Sequence, residues 1–362
     1  MTTVIAYVSG HGFGHAVRVC EVLRALRRLR PEVRVQVRSS LARWFFAFNL
    51  GADVDHAACR LDVGVVQADS LALDLAATRA AYAGLEARRE AVIAAELAAL
   101  DGLAPRLVLA DIPALAFAVA ARLGVPGVAM ANFSWDWIYA DYVDAEPGFA
   151  PLVACLRADY ARATLLLRLP LHGDLSVFPR IRDLPFVARA AQVAGADVRA
   201  RLALPRDRRV VLISFGGLGL DLARAPEIDG VAFVSTGGSA VGGGPAGCRV
   251  IGHGEMTAAG LRYEDLVGAA DAVLTKPGYG IVAECIANRT PIVYTPRGRF
   301  AEYPHLVAGI QRHLAHAEIG NSDLLSGRWA AALEAAWASR ALDPSPAVDG
   351  AEVAAAALSD LF

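Results

Sequence analysis

The sequence predicts an α/β protein of two Rossmann-like domains with parallel sheets, on three observations. Short β-branched runs alternate with alanine- and leucine-rich stretches, the rhythm of strands joined by crossover helices. The rhythm lapses once, from about 145 to 205, where prolines stand at 147, 151, 170, 179, 185 and 205, and then restarts. At 362 residues the chain also exceeds the usual span of one core.

In order, TVIAYVS (3–9) reads as a buried strand and 15–30 as a helix. Strands follow at 33–39 and 106–111, then a helix at 114–123 and a strand at 127–132. After the proline-rich passage come strands at 208–217, 230–238 and 248–253, a helix at 261–269, a strand at 271–278, a helix at 280–288 and a strand at 291–296. GGSAVGGGPAG (237–247) is a surface loop by composition. The expected organisation is an N-terminal acceptor domain at 1–170, a linker at 171–207 and a C-terminal donor domain at 208–345. An alanine-rich helix at 346–362 is expected to pack back on a domain, preferably the first.

Composition narrows the function. Hydrophobic residues make up 55%, charged residues 20%, and the net charge is -2, which gives no overall call for nucleic acid. The most apolar region, LVLADIPALAFAVAARLGVPGVAMANF, is broken by Asp111 and Arg122 and falls short of the ~18 uncharged residues of a membrane span. MTTVIAYVSG leads straight into a strand without a signal-peptide pattern. Five scattered cysteines with no CxxC pair read as reduced thiols, so a cytoplasmic protein is expected. Among 35 basic residues only Lys276 is a lysine, which suits a place where a compact ammonium is wanted, although chance survival of one lysine explains it too.

YVSGHGFGHAVR (7–18) follows the first strand and crowds Gly10, Gly12 and Gly14 around His11 and His15. A dinucleotide fingerprint would put glycine where His15 stands and an acid after the second strand, where Arg38 and Ser39 stand, so NAD binding fails twice. A metal pair of His11 and His15 lacks a further ligand close in sequence, and no metal is expected. The remaining reading is a tight turn whose amides approach a ligand and whose His15 opens a helix as a neutral base. Asp111, at the carboxyl end of another strand, is the expected orienting partner. The plain alternatives are a capping Asp111 and a packed histidine.

A second glycine cluster, ISFGGLGLD (213–221), offers Ser214, Gly216, Gly217 and Gly219 to a phosphate. TKPGYGIVAECIANRTPIVYTPRGRFAEYPHL (275–306) is more specific: a strand, a turn with Gly278 and Gly280, a helix bearing Glu284, a strand, then a polar loop with Arg297, Arg299 and Glu302. Lys276 beside that turn fits an ammonium near phosphate, and Glu284 about one turn into the helix fits both hydroxyls of a ribose. A solvated helix face is the alternative for Glu284.

This segment resembles the donor-nucleotide motif of GT-B glycosyltransferases of family 28, the group of the MurG-type enzyme of peptidoglycan synthesis and the plant galactolipid synthases. A closer resemblance, to the N-terminal glycosyltransferase-like domain of plant L-arabinokinases, rests on YVSGHGFGHAVR, LDVGVVQADSLALD (61–74), ANFSWDWIYADY (131–142) and KPGYGIVAE (276–284). It implies a GT-B fold of two facing domains and an inverting transfer from a nucleoside-diphosphate sugar, a UDP-sugar first, to an unknown hydroxyl or amine, without a cofactor. It also implies His15 as base with His11 in reserve, Glu284 on the ribose, Gly216, Gly217, Gly278 and Gly280 at the diphosphate, and Gly252 and His253 lining the base pocket. Gly12 and Gly14 are placed by it near the donor as well. Where that family grips the donor sugar with aspartate and glutamine, this chain reads RGRFAEYPHL, so the sugar is not carried over. A non-catalytic nucleotide-sugar module, and a GT-B epimerase or hydrolase using acids such as Asp111 and Asp136, stay open as alternatives.

For the acceptor, NFSWDW puts Asn132, Ser134, Trp135 and Asp136 directly after a strand, a set that suits polyhydroxylated compounds, with Gln67 and Asp69 as further candidates. Trp135 serves equally well as an anchor at the domain interface. The arginine-rich stretch 24–48, ending in aromatics, offers peripheral contact with an anionic membrane, against the plainer reading of a solvated helix face.

Overall fold

A computed structural model describes residues 2–66, 73–215, 222, 224–236, 246–298 and 300–362. The chain forms two compact units, one of Met1–Val187, Phe300–Glu302 and Ala347–Phe362, the other of Ala188–Arg299 and Tyr303–Pro346.

The first unit holds a parallel sheet of β1 (Thr3–Val8), β2 (Arg34–Ser39), β3 (Asp55–Ala58), β4 (Pro105–Asp111), β5 (Gly127–Ala131), β6 (Leu165–Arg168) and β7 (Ile181–Asp183). Their spatial order is β3-β2-β1-β4-β5-β6-β7. β1 lies between two neighbours and is buried at every position, hence its continuous apolar run. Its register sets Val8 beside both Ser39 and Asp111, so the three strand ends finish level. The order reverses between β1 and β4, and open α/β sheets bind ligands outside the carboxyl ends at such a reversal.

The chain leaves β1 through a turn at Gly12, whose φ of 95° lies in the region where a side chain is strained. Helix Phe13–Leu29 then buries Ala16, Val19, Cys20, Leu23 and Leu26, spaced by three or four residues as one helical face requires. Arg27 and Arg28 in its last turn suit the negative end of the helix dipole. Helix Gly350–Ser359 packs against it, and Arg30 donates to the Ser359 hydroxyl at 2.9 Å. The arginines of 24–48 mostly serve the fold. Arg24 and Arg27 donate to the carbonyls of Asn49 and Leu50, closing the end of helix Arg43–Leu50, and Arg38 is buried against Glu96. Arg28 and Trp44 stand exposed, Trp44 at 53%.

The second unit holds β8 (Arg209–Ser214), β9 (Val231–Ser235), β10 (Arg249–Val250), β11 (Ala272–Thr275), β12 (Ile292–Tyr294) and β13 (His316–Glu318), parallel, in the order β10-β9-β8-β11-β12-β13. The reversal here falls between β8 and β11. Val211, Phe233, Leu274 and Val293 form its core with Trp329 and Leu333, and the Trp329 ring meets Phe233 edge-on at 5.2 Å. The strand expected at 248–253 is shorter than its apolar letters suggest, because helix His253–Ala258 begins directly after Gly252. Strands β6 and β7 lie inside the proline-rich passage, which had no strand assigned to it. Among the described residues no helix is long and apolar enough to cross a membrane.

Candidate active site

In the first unit the β1/β4 reversal gathers the histidine and aspartate that the sequence paired. His15 is the third residue of its helix, 7% exposed, and its Nδ1 stands 2.8 Å from Asp111 Oδ1 at the end of β4. Arg18, one turn further along the same buried face, closes on the same carboxylate. Its Nε donates to Oδ2 at 2.5 Å and its Nη2 to Oδ1 at 2.7 Å, while Nη1 donates to Asn132 Oδ1 at 2.7 Å. Burial alone would raise the Asp111 carboxyl, but the Arg18 guanidinium and then His15 outweigh it and hold the group below the usual carboxylate range. An ionised Asp111 only accepts, so the Nδ1 of His15 that faces it carries a hydrogen and donates to it.

A second layer stands around this dyad. Phe133 meets the His15 ring edge-on at 5.6 Å. Trp135 is fully buried, enclosed by His11 at 5.3 Å, Phe133 at 5.0 Å and Tyr139 at 5.9 Å, and its indole N–H donates to Asp62 Oδ2 at 3.0 Å. The ring face that the sequence offered to an acceptor is therefore taken up inside this unit. Burial raises the Asp62 carboxyl, against the lowering effects of the Ser9 hydroxyl, Trp135 and His15. Gly64 sits against His11: at φ 71° its backbone disfavours a side chain, and a Cβ there would lie 2.5 Å from His11 Nδ1. His11 precedes Gly12 and stays outside the helix that carries His15. Ser134 donates to Asp136 Oδ1 at 2.5 Å, and burial raises the Asp136 carboxyl although Arg157 approaches Oδ2 at 3.2 Å. Glu302 belongs to this unit and accepts from Asn132 Nδ2 at 3.4 Å.

In the second unit the β8/β11 reversal carries the residues assigned to the donor. Ser214 ends β8 with its Oγ 2.6 Å from the Tyr263 hydroxyl, and Thr275, ending β11, donates to the Ser214 carbonyl. Lys276 is half-buried directly after β11. Gly278 caps helix Tyr279–Asn288, with Gly280 in its first turn and Glu284 in its second. Glu284 is 3% exposed and accepts from Arg189 Nε at 2.6 Å. Gly252 caps helix His253–Ala258, where His253 is exposed. Gln67, Asp69, Gly216, Gly217, Gly219 and Arg299 lie outside the described residues. Among the described residues no three His, Cys, Asp or Glu side chains gather to hold a metal.

Three residues of these clusters escaped the sequence reading. Arg18 had a signal, a charge three residues past His15 on an otherwise apolar helix face, and so did Asp62, a lone acid in LDVGVV. Arg189, inside the proline-rich passage, had none.

No protein-family model matches the chain. It is 31% identical over 366 residues to L-arabinokinase of Arabidopsis thaliana, covering 98% of this chain and 34% of that protein. The chain therefore spans about a third of the length of that relative. Among solved structures it is similar to the calicheamicin glycosyltransferase CalG4, with TM-score 0.59 and 17% identity over 99% of this chain and 94% of that one. The spinosyn rhamnosyltransferase SpnG complexed with thymidine diphosphate gives TM-score 0.59 and 15% identity over 99% and 95% of the two chains. Phytolacca americana UGT2, complexed with UDP-2fluoro-glucose and pterostilbene, gives 0.54 and 14% over 100% and 90%. At these identities the likeness shows the fold, which is the GT-B glycosyltransferase fold.

Proposed function

We propose that the chain is an inverting glycosyltransferase that moves a sugar from a nucleoside-diphosphate sugar, a UDP-sugar first, to a hydroxyl or amine acceptor. The observation that carries the reading is the His15–Asp111 pair at the β1/β4 reversal, 2.8 Å apart and fixed by Arg18. Nε2 of His15 takes the proton of the acceptor O–H or N–H as that atom attacks C1 of the donor. The C1–O bond to the diphosphate breaks, its electron pair leaves with the nucleoside diphosphate, and the configuration at C1 inverts. Asp111 stabilises the imidazolium formed in that step and keeps the imidazole in the tautomer the step needs. Ser214, Lys276 and the amides at Gly278 and Gly280 serve the diphosphate, because a half-buried ammonium and an open helix start both favour anions. Glu284 serves the ribose. Asn132, Ser134 and Asp136, directly after β5, back the acceptor side from within, since each is buried and bonded inside this unit.

The test is calorimetric titration of the protein with UDP, TDP, GDP, ADP and NAD, followed by turnover with the sugar form of whichever nucleotide binds. Preference for one nucleoside diphosphate, lost in Glu284→Ala, supports the donor assignment. Turnover lost in His15→Ala supports the base. Binding to none of the five overturns the reading, and binding without turnover on any acceptor, unaffected by His15→Ala, turns it into a nucleotide-sugar binding module.

A further inference from the structure

The segment by which the chain enters the second unit is sewn to two helices at the β8/β11 reversal. Ala191 N donates to Asn288 Oδ1 at 2.8 Å, and Asn288 Nδ2 donates back to the Arg189 carbonyl at 3.0 Å. Gln192 N and Val193 N both donate to Asp265 Oδ1, at 2.7 and 3.1 Å. These bonds fix the backbone from which Arg189 projects, and its side chain is 4% exposed. Nε and Nη2 converge on Glu284 Oε1, Nη1 stands 3.1 Å from Glu264 Oε2, and the guanidinium lies over the Tyr263 ring at 5.8 Å. The Tyr263 hydroxyl reaches Ser214 at the end of β8, and Arg262 balances Glu264 from its other side at 3.1 Å.

Buried Arg189, Glu264 and Glu284, with Arg262 half-buried beside them, are a poor device for stability alone, since apolar residues of similar volume serve as well or better. What such a cluster supplies is direction. A glutamate on a helix swings through several rotamers, whereas one gripped by a guanidinium that is itself held by a second carboxylate and an aromatic face has a single orientation. We propose that Arg189 is a positioning residue for the nucleotide. It fixes the Glu284 carboxylate in the orientation that receives the ribose hydroxyls, and so acts on donor affinity without touching the donor. This rests on the ribose assignment of Glu284 made above.

The experiment compares UDP with 2′-deoxy-UDP by calorimetry on the full chain, its Arg189→Lys, Arg189→Met and Glu284→Gln variants, and the Arg189→Lys/Glu284→Gln double variant. The wild type is expected to prefer UDP by about tenfold or more, the worth of one hydrogen bond to a charged acceptor. Arg189→Lys keeps the charge and loses the fork, so the preference should shrink below about threefold, with 2′-deoxy-UDP, which keeps its 3′-hydroxyl, weakened less than UDP. Added to Glu284→Gln, the lysine should change nothing further, because both act through one carboxylate. A merely structural arginine would weaken both nucleotides alike, add its loss to that of Glu284→Gln and leave the preference intact, which overturns the proposal. Arg189→Met repeats the comparison without the charge, and Arg189→Lys decides alone if the methionine variant does not fold. A wild type that binds UDP and 2′-deoxy-UDP equally refutes the ribose assignment of Glu284, and one that binds no nucleotide refutes the donor reading as a whole.

Discussion

Arg18→Met should unfold the first unit at a markedly lower temperature. Arg18 is 3% exposed and spends all three guanidinium nitrogens inside, two on Asp111 and one on Asn132. Methionine fills much of the space and removes the charge, which leaves Asp111, with no exposed surface, facing only His15, and strips Asn132 Oδ1 of its donor. Removing one partner of a buried pair costs about 3–5 kcal/mol. At about 2–4 °C per kcal/mol for a unit of this size, the melting temperature should fall by roughly 6–20 °C at pH 7. The pH dependence follows from Asp111, whose folded carboxyl lies below its unfolded value. Its contribution is complete above that unfolded value, near ~3.9, and is lost as pH falls through the lower folded one. The gap between wild type and variant should therefore be widest at neutral pH and narrow as pH falls below the unfolded carboxyl value. Thermal melts followed by circular dichroism read it, with Arg18→Met/Asp111→Asn as the control. The double variant no longer strands a charge and should regain stability over Arg18→Met. A melting temperature within about 2 °C of wild type, less than 1 kcal/mol on the same scale, or a double variant no better than the single one, would refute the reasoning.

Other outcomes follow from the same geometry. His15→Ala should cut turnover by about 10²–10⁴ while nucleotide titrations stay unchanged, and a parallel loss of nucleotide affinity would assign His15 to the donor instead. Asp62→Asn should be neutral or stabilising at pH 8: burial puts the folded Asp62 carboxyl above its unfolded value, so the native aspartate costs stability at high pH and that cost fades as pH falls. Melts of that variant from acid to pH 8 should show a gain that rises above the unfolded carboxyl value and then levels off, and a loss at pH 8 would contradict it. Gly64→Ala should cost about 2–3 kcal/mol in urea unfolding, through a side chain at φ 71° and a Cβ pressed onto His11. An unchanged midpoint would mean that the 61–66 loop yields freely.

How far the sequence discloses this molecule depends on the kind of signal. The fold class rests on period and length, and β1, helix Phe13–Leu29 and β11 sit close to where their apolar runs place them. β6 and β7 escape because Leu165–Arg168 and Ile181–Asp183 are too short to establish a period and stand among prolines. β3 escapes because Asp55–Ala58 reads DHAA, an outer strand held by pairing with β2 rather than by side-chain propensity. The His15–Asp111 pairing was legible because Asp111 ends β4 and His15 opens the helix just after β1, where topology converts sequence position into spatial position. Arg18 and Arg189 were not, because a buried guanidinium is defined by the carboxylates it meets, and Asp111 lies 93 residues from Arg18 and Glu284 95 from Arg189.

The packing of helix Gly350–Ser359 on helix Phe13–Leu29 sets a timetable for synthesis. The chain emerges from the ribosome amino end first, so the early helix waits for its partner while roughly 320 intervening residues are made, a delay of roughly 16–64 s at ~5–20 residues per second. Through that interval its surface for the late helix is uncovered, and the second unit, contiguous but for Phe300–Glu302, has all its strands before the first unit can close. Newborn chains therefore offer the surface along Phe13–Leu29 to aggregation and chaperone capture, and a ribosome stalled before residue 350 would present it indefinitely.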